Sequence, residues 1–435
     1  MTADGRELKR ELGIGGAALM GLGSILGTGV FVSIGIGAGI AGPSVVLAVA
    51  LGAVVATFNG LNSAQLAASH PVSGGTYEYG YRYLGSRLGF LAGWVFMLAK
   101  SASAATACLG FAGYVIVLFD WTQGDGLLVG LALGMLAVIT AVVLTGIRRS
   151  AIANTVVVAV TIVGLLVFVG FALAEFDPGR FRPFGGDGGG RGFLEATALM
   201  FVAYTGYGRI ATLGEEVRAP RRTIPRAIVV TLVVTMALYV AVAVAGIGAA
   251  GAAGLADATD RFAAPLEVAA RDVAPTGVAT VVAIAAVTAI IGVLINLILG
   301  LSRVLLAMGR RRDVPAVFGR LDPSGTTPTA AVWMVGAIIA ALVLVGDVET
   351  TWTFSAFTVL LYYAITNLAA LRISDEDRMF PRWVAVAGLV ACLGLAFWVD
   401  AAVWLAGLGI VAIGVIWHEL ARRLRRTPGD EGSPA

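Results

Sequence analysis

Charge is what this sequence has least of. Acidic and basic side chains make up 13% of its 435 residues, where soluble chains carry roughly a quarter, so too few are present to coat a water-soluble domain of this length. Two cysteines and two histidines are all it has of either type, and they do not cluster, which leaves a disulfide framework and a metal centre without support. Cys108 and Cys392 fall inside apolar runs, His70 sits beside Pro71, and His418 closes the last run. Solvated or structural roles suit both histidines. No run pairs a serine with a histidine or gathers two carboxylates, which disfavours an enzyme and any bound cofactor. A phosphate-binding loop is missing, which disfavours a nucleotide-driven pump, and so is the alternating ten-residue pattern of a membrane β-barrel.

What is present is hydrocarbon: 58% of the residues are hydrophobic and the mean hydropathy is +0.89. Apolar runs of ~20 residues recur, the length an α-helix needs to cross ~30 Å of lipid. The pattern predicts an all-α membrane protein with twelve transmembrane helices, near 13–40, 43–68, 88–119, 126–146, 152–174, 193–214, 226–250, 276–306, 329–346, 351–371, 383–399 and 401–420. The first run follows basic residues but is too long for a signal peptide, so helix 1 is expected to stay in the protein. Most of the 30 lysines and arginines fall in segments on the side of the N-terminus, and the positive-inside bias then places both termini in the cytoplasm, across the cytoplasmic membrane. The net charge of +3 follows from that topology and needs no nucleic acid partner. The segment from Ser73 to Arg87 is rich in tyrosine and is expected on the inner side, as an interfacial helix, a gate or part of an aromatic belt.

Glycine marks the site. Gly21, Gly23, Gly27 and Gly29 crowd nine residues of the first run, together with the polar Ser24 and Thr28. Glycine at that density disfavours continuous helix, and freed backbone groups survive at bilayer depth only where protein or a polar cavity satisfies them. A second interruption, Tyr204-Thr205-Gly206-Tyr207-Gly208, lies in a later run. Paired broken helices in matching halves of a chain point to a secondary transporter. A cut helix exposes opposite dipole ends, a suitable cradle for a zwitterion. A carboxylate would settle on the N–H groups of Gly27, Thr28 and Gly29, and an ammonium on the carbonyls of Ile25, Val202 and Thr205. Close helix packing is the competing account of such glycines, and it is preferred for Gly13, Gly15 and Gly16. A dinucleotide site is ruled out, since no strand precedes the glycines.

GLGSILGTGVFVSIG, PVSGGTYEYGYRYLG, FVAYTGYGRIATLGEEVRAPRRTIPRAI and LGLSRVLLAMGRRRDVP, between about Gly13 and Pro328, together resemble the amino acid-polyamine-organocation superfamily, closest to its cationic amino acid transporter branch. The resemblance implies a LeuT-type fold, with helices 1–5 and 6–10 as inverted repeats, helices 1 and 6 discontinuous, and helices 11 and 12 peripheral. It divides the chain into a cytoplasmic segment 1–12, a transport core 13–371, peripheral helices 372–420 and a cytoplasmic tail 421–435. It also implies amino acid transport by alternating access. Ser24, Ile25, Gly27, Thr28 and Gly29 match the carboxylate loop of the family, and Val202, Ala203, Tyr204 and Thr205 its ammonium-binding turn. Tyr204 and Tyr207, with Phe354 and Phe357 of helix 10, are candidate gates.

The chain departs from that branch in its charges. Where bacterial relatives carry a lysine on helix 5, Thr161 aligns, which puts the usual proton route in question; Asn296 on helix 8 faces it, and the two offer sodium oxygen ligands but no fixed charge. Lys100 lies 12 positions into helix 3, roughly 18 Å from its start, too deep to reach the interface. It either replaces the missing lysine as a proton carrier or counter-charge, or is a structural lysine bonded to carbonyls. Arg209 follows the second break, where the branch favours an acid just before it; it either disfavours lysine and arginine as substrates or pairs with Glu215 or Glu216. A neutral or acidic amino acid is the expected substrate, with coupling by proton or by exchange. Sodium coupling, a polyamine or other small-metabolite carrier, and a non-transporting sensor are the alternatives.

Overall fold

The computed structural model describes residues 12–70, 74–122, 124–146, 151–212, 217–323 and 325–425. Among them every regular element is a helix, apart from an isolated bridge between Leu12 and Val217. The reason is physical: in hydrocarbon a helix satisfies its own N–H and C=O groups, and an open strand does not.

The first apolar run divides into α1 (Ile14–Ile25), α2 (Thr28–Phe31) and α3 (Ser33–Ala41). Next come α4 (Val45–Ser69), the short α5 (Thr76–Tyr83), the long α6 (Ser86–Leu118), α7 (Asp125–Leu144) and α8 (Ala151–Ala174). The second interrupted run holds α9 (Gly189–Tyr204) and α10 (Gly208–Ala211). It is followed by α11 (Pro220–Phe262), α12 (Pro265–Val273) and α13 (Thr276–Arg310), then α14 (Thr329–Val345), α15 (Val348–Leu371), α16 (Arg382–Ala396) and α17 (Ala401–Arg425). Eight helical stretches among the described residues are long and apolar enough to cross a bilayer, and three shorter apolar helices, Ile14–Ile25, Thr329–Val345 and Arg382–Ala396, stand beside them. The stretch α11 is two helices joined at Gly251, whose φ of 75° suits a residue without a side chain, so the first ends where expected and a second follows to Phe262. The connection expected at 251–275 is therefore largely helical. Segment 1–11, the end of the tail from 426 onward, and Glu215 and Glu216 lie outside the described residues.

The helices pair in a regular way. Helix α4 packs on α11, α6 on α13 and α7 on α14, while α8 lies against α13 as α15 lies against α6, and α9 meets α4 as α1 and α3 meet α11. Small residues allow the close approaches: a Cβ on Gly164 would sit 2.3 Å from that of Ala285, and one on Gly52 3.0 Å from the Phe201 backbone nitrogen. Amides join α4 to α15 and α16. Asn62 donates to Asn367 Oδ1 (2.7 Å), Asn367 donates to Asn59 Oδ1 (2.8 Å) and Gln65 donates to Asn62 Oδ1 (3.0 Å), with all four side chains buried. The thiol of Cys392 completes the cluster at 3.4 Å from Asn59 Oδ1.

Replacing Asn367 with leucine leaves the Asn59 and Asn62 amides without their partner. The expected cost is about 1–3 kcal/mol, read as a lower thermal midpoint of the purified protein; an unchanged midpoint would show the amide cluster to be dispensable.

Candidate functional site

The first interruption is complete. Helix α1 stops at Ile25, Leu26 turns extended (φ −69°, ψ 109°), and the Gly27 carbonyl restarts the helix by accepting from Val30 N at 3.0 Å. Among the described residues no backbone carbonyl accepts from the N–H groups of Gly27, Thr28 and Gly29, as the first turn of any helix dictates. The Thr28 hydroxyl is buried beside them and has no hydrogen-bond partner. Glycine is required by space: a Cβ on Gly27 would lie 2.6 Å from Val293 Cγ2, and one on Gly29 2.8 Å from Ala203 Cα.

The second interruption is milder than expected. Residues Thr205–Tyr207 form one 3-10 turn, and Tyr204, Thr205 and Gly208 all keep right-handed helical angles. A 3-10 turn preserves i to i+3 bonding, so the Val202 carbonyl still accepts from Thr205 N, and the Thr205 carbonyl from Gly208 N. The expected acceptors are further occupied by hydroxyls: Thr205 Oγ1 donates to Val202 O (2.8 Å), Tyr363 to Thr205 O (3.3 Å) and Tyr239 to Ile25 O (2.9 Å). Each carbonyl has two lone pairs, so Val202 O and Thr205 O are filled, and Ile25 O keeps one pair open.

The two interruptions meet. A Cβ on Gly206 would fall 2.2 Å from the Ser24 carbonyl oxygen, and Gly29 abuts Ala203 as above. Ser24, Ile25, Gly27, Thr28, Gly29, Ala203 and Thr205 are thus gathered at one place, with Val202 a turn before. Lys100 joins them from α6, donating from Nζ to Thr205 Oγ1 at 2.8 Å. Its partner is therefore a hydroxyl of the second interrupted run and not a backbone carbonyl.

Other candidates are placed apart. Tyr204 points its hydroxyl to Val49 O (3.1 Å) and its ring against Tyr239; Tyr207 packs on Tyr363 at 5.6 Å. Phe357 is filled in against Gly407 and Phe397, on the side of α16 and α17. Thr161 donates to Val157 O of its own helix (2.7 Å), whereas Asn296 reaches Ser24 Oγ (3.2 Å) and Gly23 O (3.5 Å). The residue of α8 that bonds α1 is Asn154, which donates to Leu19 O at 2.9 Å. Arg209 donates to Thr212 Oγ1 at 3.3 Å. Asn154, Tyr239 and Tyr363 escaped the sequence reading. A lone amide or hydroxyl inside an apolar helix was the available signal, because such a group must find a partner in hydrocarbon.

At the opposite end of α6, helix α5 closes against the segment after α13. Tyr77 and Tyr81 both donate to Asp313 Oδ2, at 2.7 and 2.6 Å, and Trp417 donates to the Asp313 carbonyl at 2.9 Å. Arg311 lies over the Tyr81 ring at 4.3 Å and pairs with Glu78. His418 is buried here and stacks on Phe90, a structural role. No group of three or more His, Cys, Asp or Glu side chains placed to hold a metal ion occurs among the described residues.

The candidate site is built on an interrupted helix of an apolar bundle, and comparison with known proteins names the class. The amino acid permease family model matches residues 16–424. The chain belongs to that family and is a transporter, not an enzyme. An uncharacterized transporter of Mycobacterium tuberculosis strain H37Rv is 40% identical over 97% of this chain and 93% of its own length. The branched-chain amino acid permease BcaP of Bacillus subtilis is 28% identical over 91% of this chain and 87% of its own. Among solved structures, a manganese transporter of Eremococcus coleocola superimposes with a TM-score of 0.63 at 13% identity, over 98% of this chain and 99% of that one; the likeness is one of fold.

Gly206→Ala forces a methyl group onto the Ser24 carbonyl, whereas Gly15 has nothing within 4 Å. Overpacking is expected to cost the first variant about 1–3 kcal/mol, and Gly15→Ala to be neutral or slightly stabilising. Thermal melts of the two variants side by side check the contrast.

Proposed function

We propose that this chain is a secondary active transporter that carries neutral or acidic amino acids across the cytoplasmic membrane by alternating access. The observation that carries the reading is the trio of N–H groups at Gly27, Thr28 and Gly29, without backbone acceptors and beside an unpartnered buried hydroxyl. Unsatisfied donors at a helix N-terminus are a carboxylate site. The ammonium is held by the open lone pair of the Ile25 carbonyl, beside the contact between the two interruptions, with the Val202 and Thr205 carbonyls already filled.

The pairing of helices supports a LeuT-type architecture. With α1–α3 counted as one pass, α9–α10 as one, and α5 and α12 set aside as surface helices, the bundle has twelve passes. Passes 2, 3 and 4 then pack on 7, 8 and 9, and pass 5 meets 8 as pass 10 meets 3. A shift of five maps this set of contacts onto itself, which is what a five-plus-five repeat produces. The basic inner segments put both termini in the cytoplasm.

Lys100 sets the sign of the site. Its ammonium stands at Thr205, so lysine and arginine are repelled while neutral and acidic side chains are accommodated. The branched-chain substrate in the name of the Bacillus subtilis relative agrees with this. A buried lysine able to release its proton is also the natural coupling group, and exchange is the other mode. Sodium is less well served, because Thr161 and Asn296 offer oxygen ligands but no fixed charge.

Uptake of a labelled amino acid panel into liposomes, with imposed proton and sodium gradients, tests the proposal. Neutral or acidic amino acids should accumulate, and competition dominated by lysine or arginine would refute the charge argument. Thr28→Val is expected to raise the KM about 5- to 10-fold, the equivalent of one lost hydrogen bond of ~1–1.5 kcal/mol. Lys100→Met should abolish the response to a proton gradient; full transport with an unchanged pH profile would remove Lys100 from the mechanism.

A further inference from the structure

Helix α17 is held to α6 along one face. The Ile410 carbonyl accepts from Trp94 Nε1 at 3.0 Å, a Cβ on Gly414 would lie 2.5 Å from the same nitrogen, and the His418 ring stacks on Phe90 at 4.5 Å. Its other face is bare: only 17% of its apolar stretch is buried. Ile413, Ile416 and Leu420, which are 60%, 58% and 52% exposed, follow one another there at helical spacing. The next position of the same stripe is Arg423, which is also exposed. From Ile413 to Arg423 the helix rises roughly 15 Å, the depth of one leaflet of a ~30 Å hydrocarbon layer.

The charge at the end of the stripe is positive and open. Glu419, one turn before Arg423, is the acid placed to quench it, and Arg87 of α6 already holds that carboxylate at 3.0 Å. Arg423 itself makes no ion pair among the described residues. The bond from Trp417 to the Asp313 carbonyl draws the Arg310–Asp313 turn, with Arg310 and Arg312 exposed, to the same end of α17. A basic helix end in water takes any counter-ion. An apolar stripe one leaflet deep, running straight into the guanidinium, selects an anion joined to hydrocarbon chains.

We infer that this face of α17 seats an anionic phospholipid, with its acyl chains along Ile413, Ile416 and Leu420 and its phosphate at Arg423. The site stands independently of the transport reading; only the name of its leaflet, the cytoplasmic one, rests on the topology proposed above.

Native mass spectrometry of the full chain, released from detergent containing equal amounts of phosphatidylglycerol and phosphatidylcholine with the same acyl chains, tests it. The wild-type chain should retain phosphatidylglycerol in preference to phosphatidylcholine. Arg423→Gln should lower the retained phosphatidylglycerol about fivefold, while Arg222→Gln, which removes the same charge from the start of α11, leaves it unchanged. Both arginines are exposed, so neither change disturbs the core. Equal retention of the two lipids, or an equal loss in both variants, overturns the proposal. So does displacement of the lipid by glycerol 3-phosphate, which carries the phosphate without the chains. A spectrum of a dimer free of phosphatidylglycerol would mean that a second copy of the chain covers this face, and overturns it as well.

Discussion

Every backbone polar group within the hydrocarbon must find a partner inside the protein, and the architecture follows from that constraint. It makes the described structure helical and allows a helix to be cut only where something else takes over the freed groups. At Leu26–Gly27 the carbonyls are taken over by side chains from distant helices: Tyr239 caps Ile25 and Asn296 caps Gly23. The N–H groups at Gly27–Gly29 are not taken over. The protein supplies its own donors to the carbonyls and leaves the N–H groups at the other end of the break open.

The same constraint governs Lys100. An ammonium deep in the bundle costs at least ~2.5 kcal/mol unless it is held, and its partner, Thr205, belongs to the second interruption. Thr205 passes the interaction on to the Val202 carbonyl, so the charge on α6, the turn between α9 and α10 and the tyrosine of α15 form one connected unit. The amide cluster at Asn62 and Asn367 plays a different part, tying α4 to α15 and α16 away from the site.

Some features were legible from residue order. The glycine run of helix 1, the second interruption, the helical character of the apolar runs and the interfacial helix at Thr76–Tyr83 are local properties, written in composition and spacing. The severity of the second interruption was not legible, since Tyr204 to Gly208 can adopt either an unwound strand or a 3-10 turn, and packing of Gly206 on Ser24 selects the turn. Nor was the direction of Tyr204, Tyr207 and Phe357, each of which packs against a neighbouring helix. The partner of each lone polar group was not legible either: Thr161 bonds Val157 of its own helix, while Asn154 of α8 and Asn296 of α13 both bond α1.

Residue order by itself determined that the chain lives in lipid, where it breaks, and which backbone donors a carboxylate would meet, because hydropathy and the orphaned groups at a helix start depend only on neighbours along the chain. The tertiary structure decided what each isolated polar side chain holds. Lys100 and Thr205 are 105 positions apart and Tyr239 and Ile25 are 214. A lone donor in an apolar run announces that it needs a partner, and only the packing of whole helices says which one it gets.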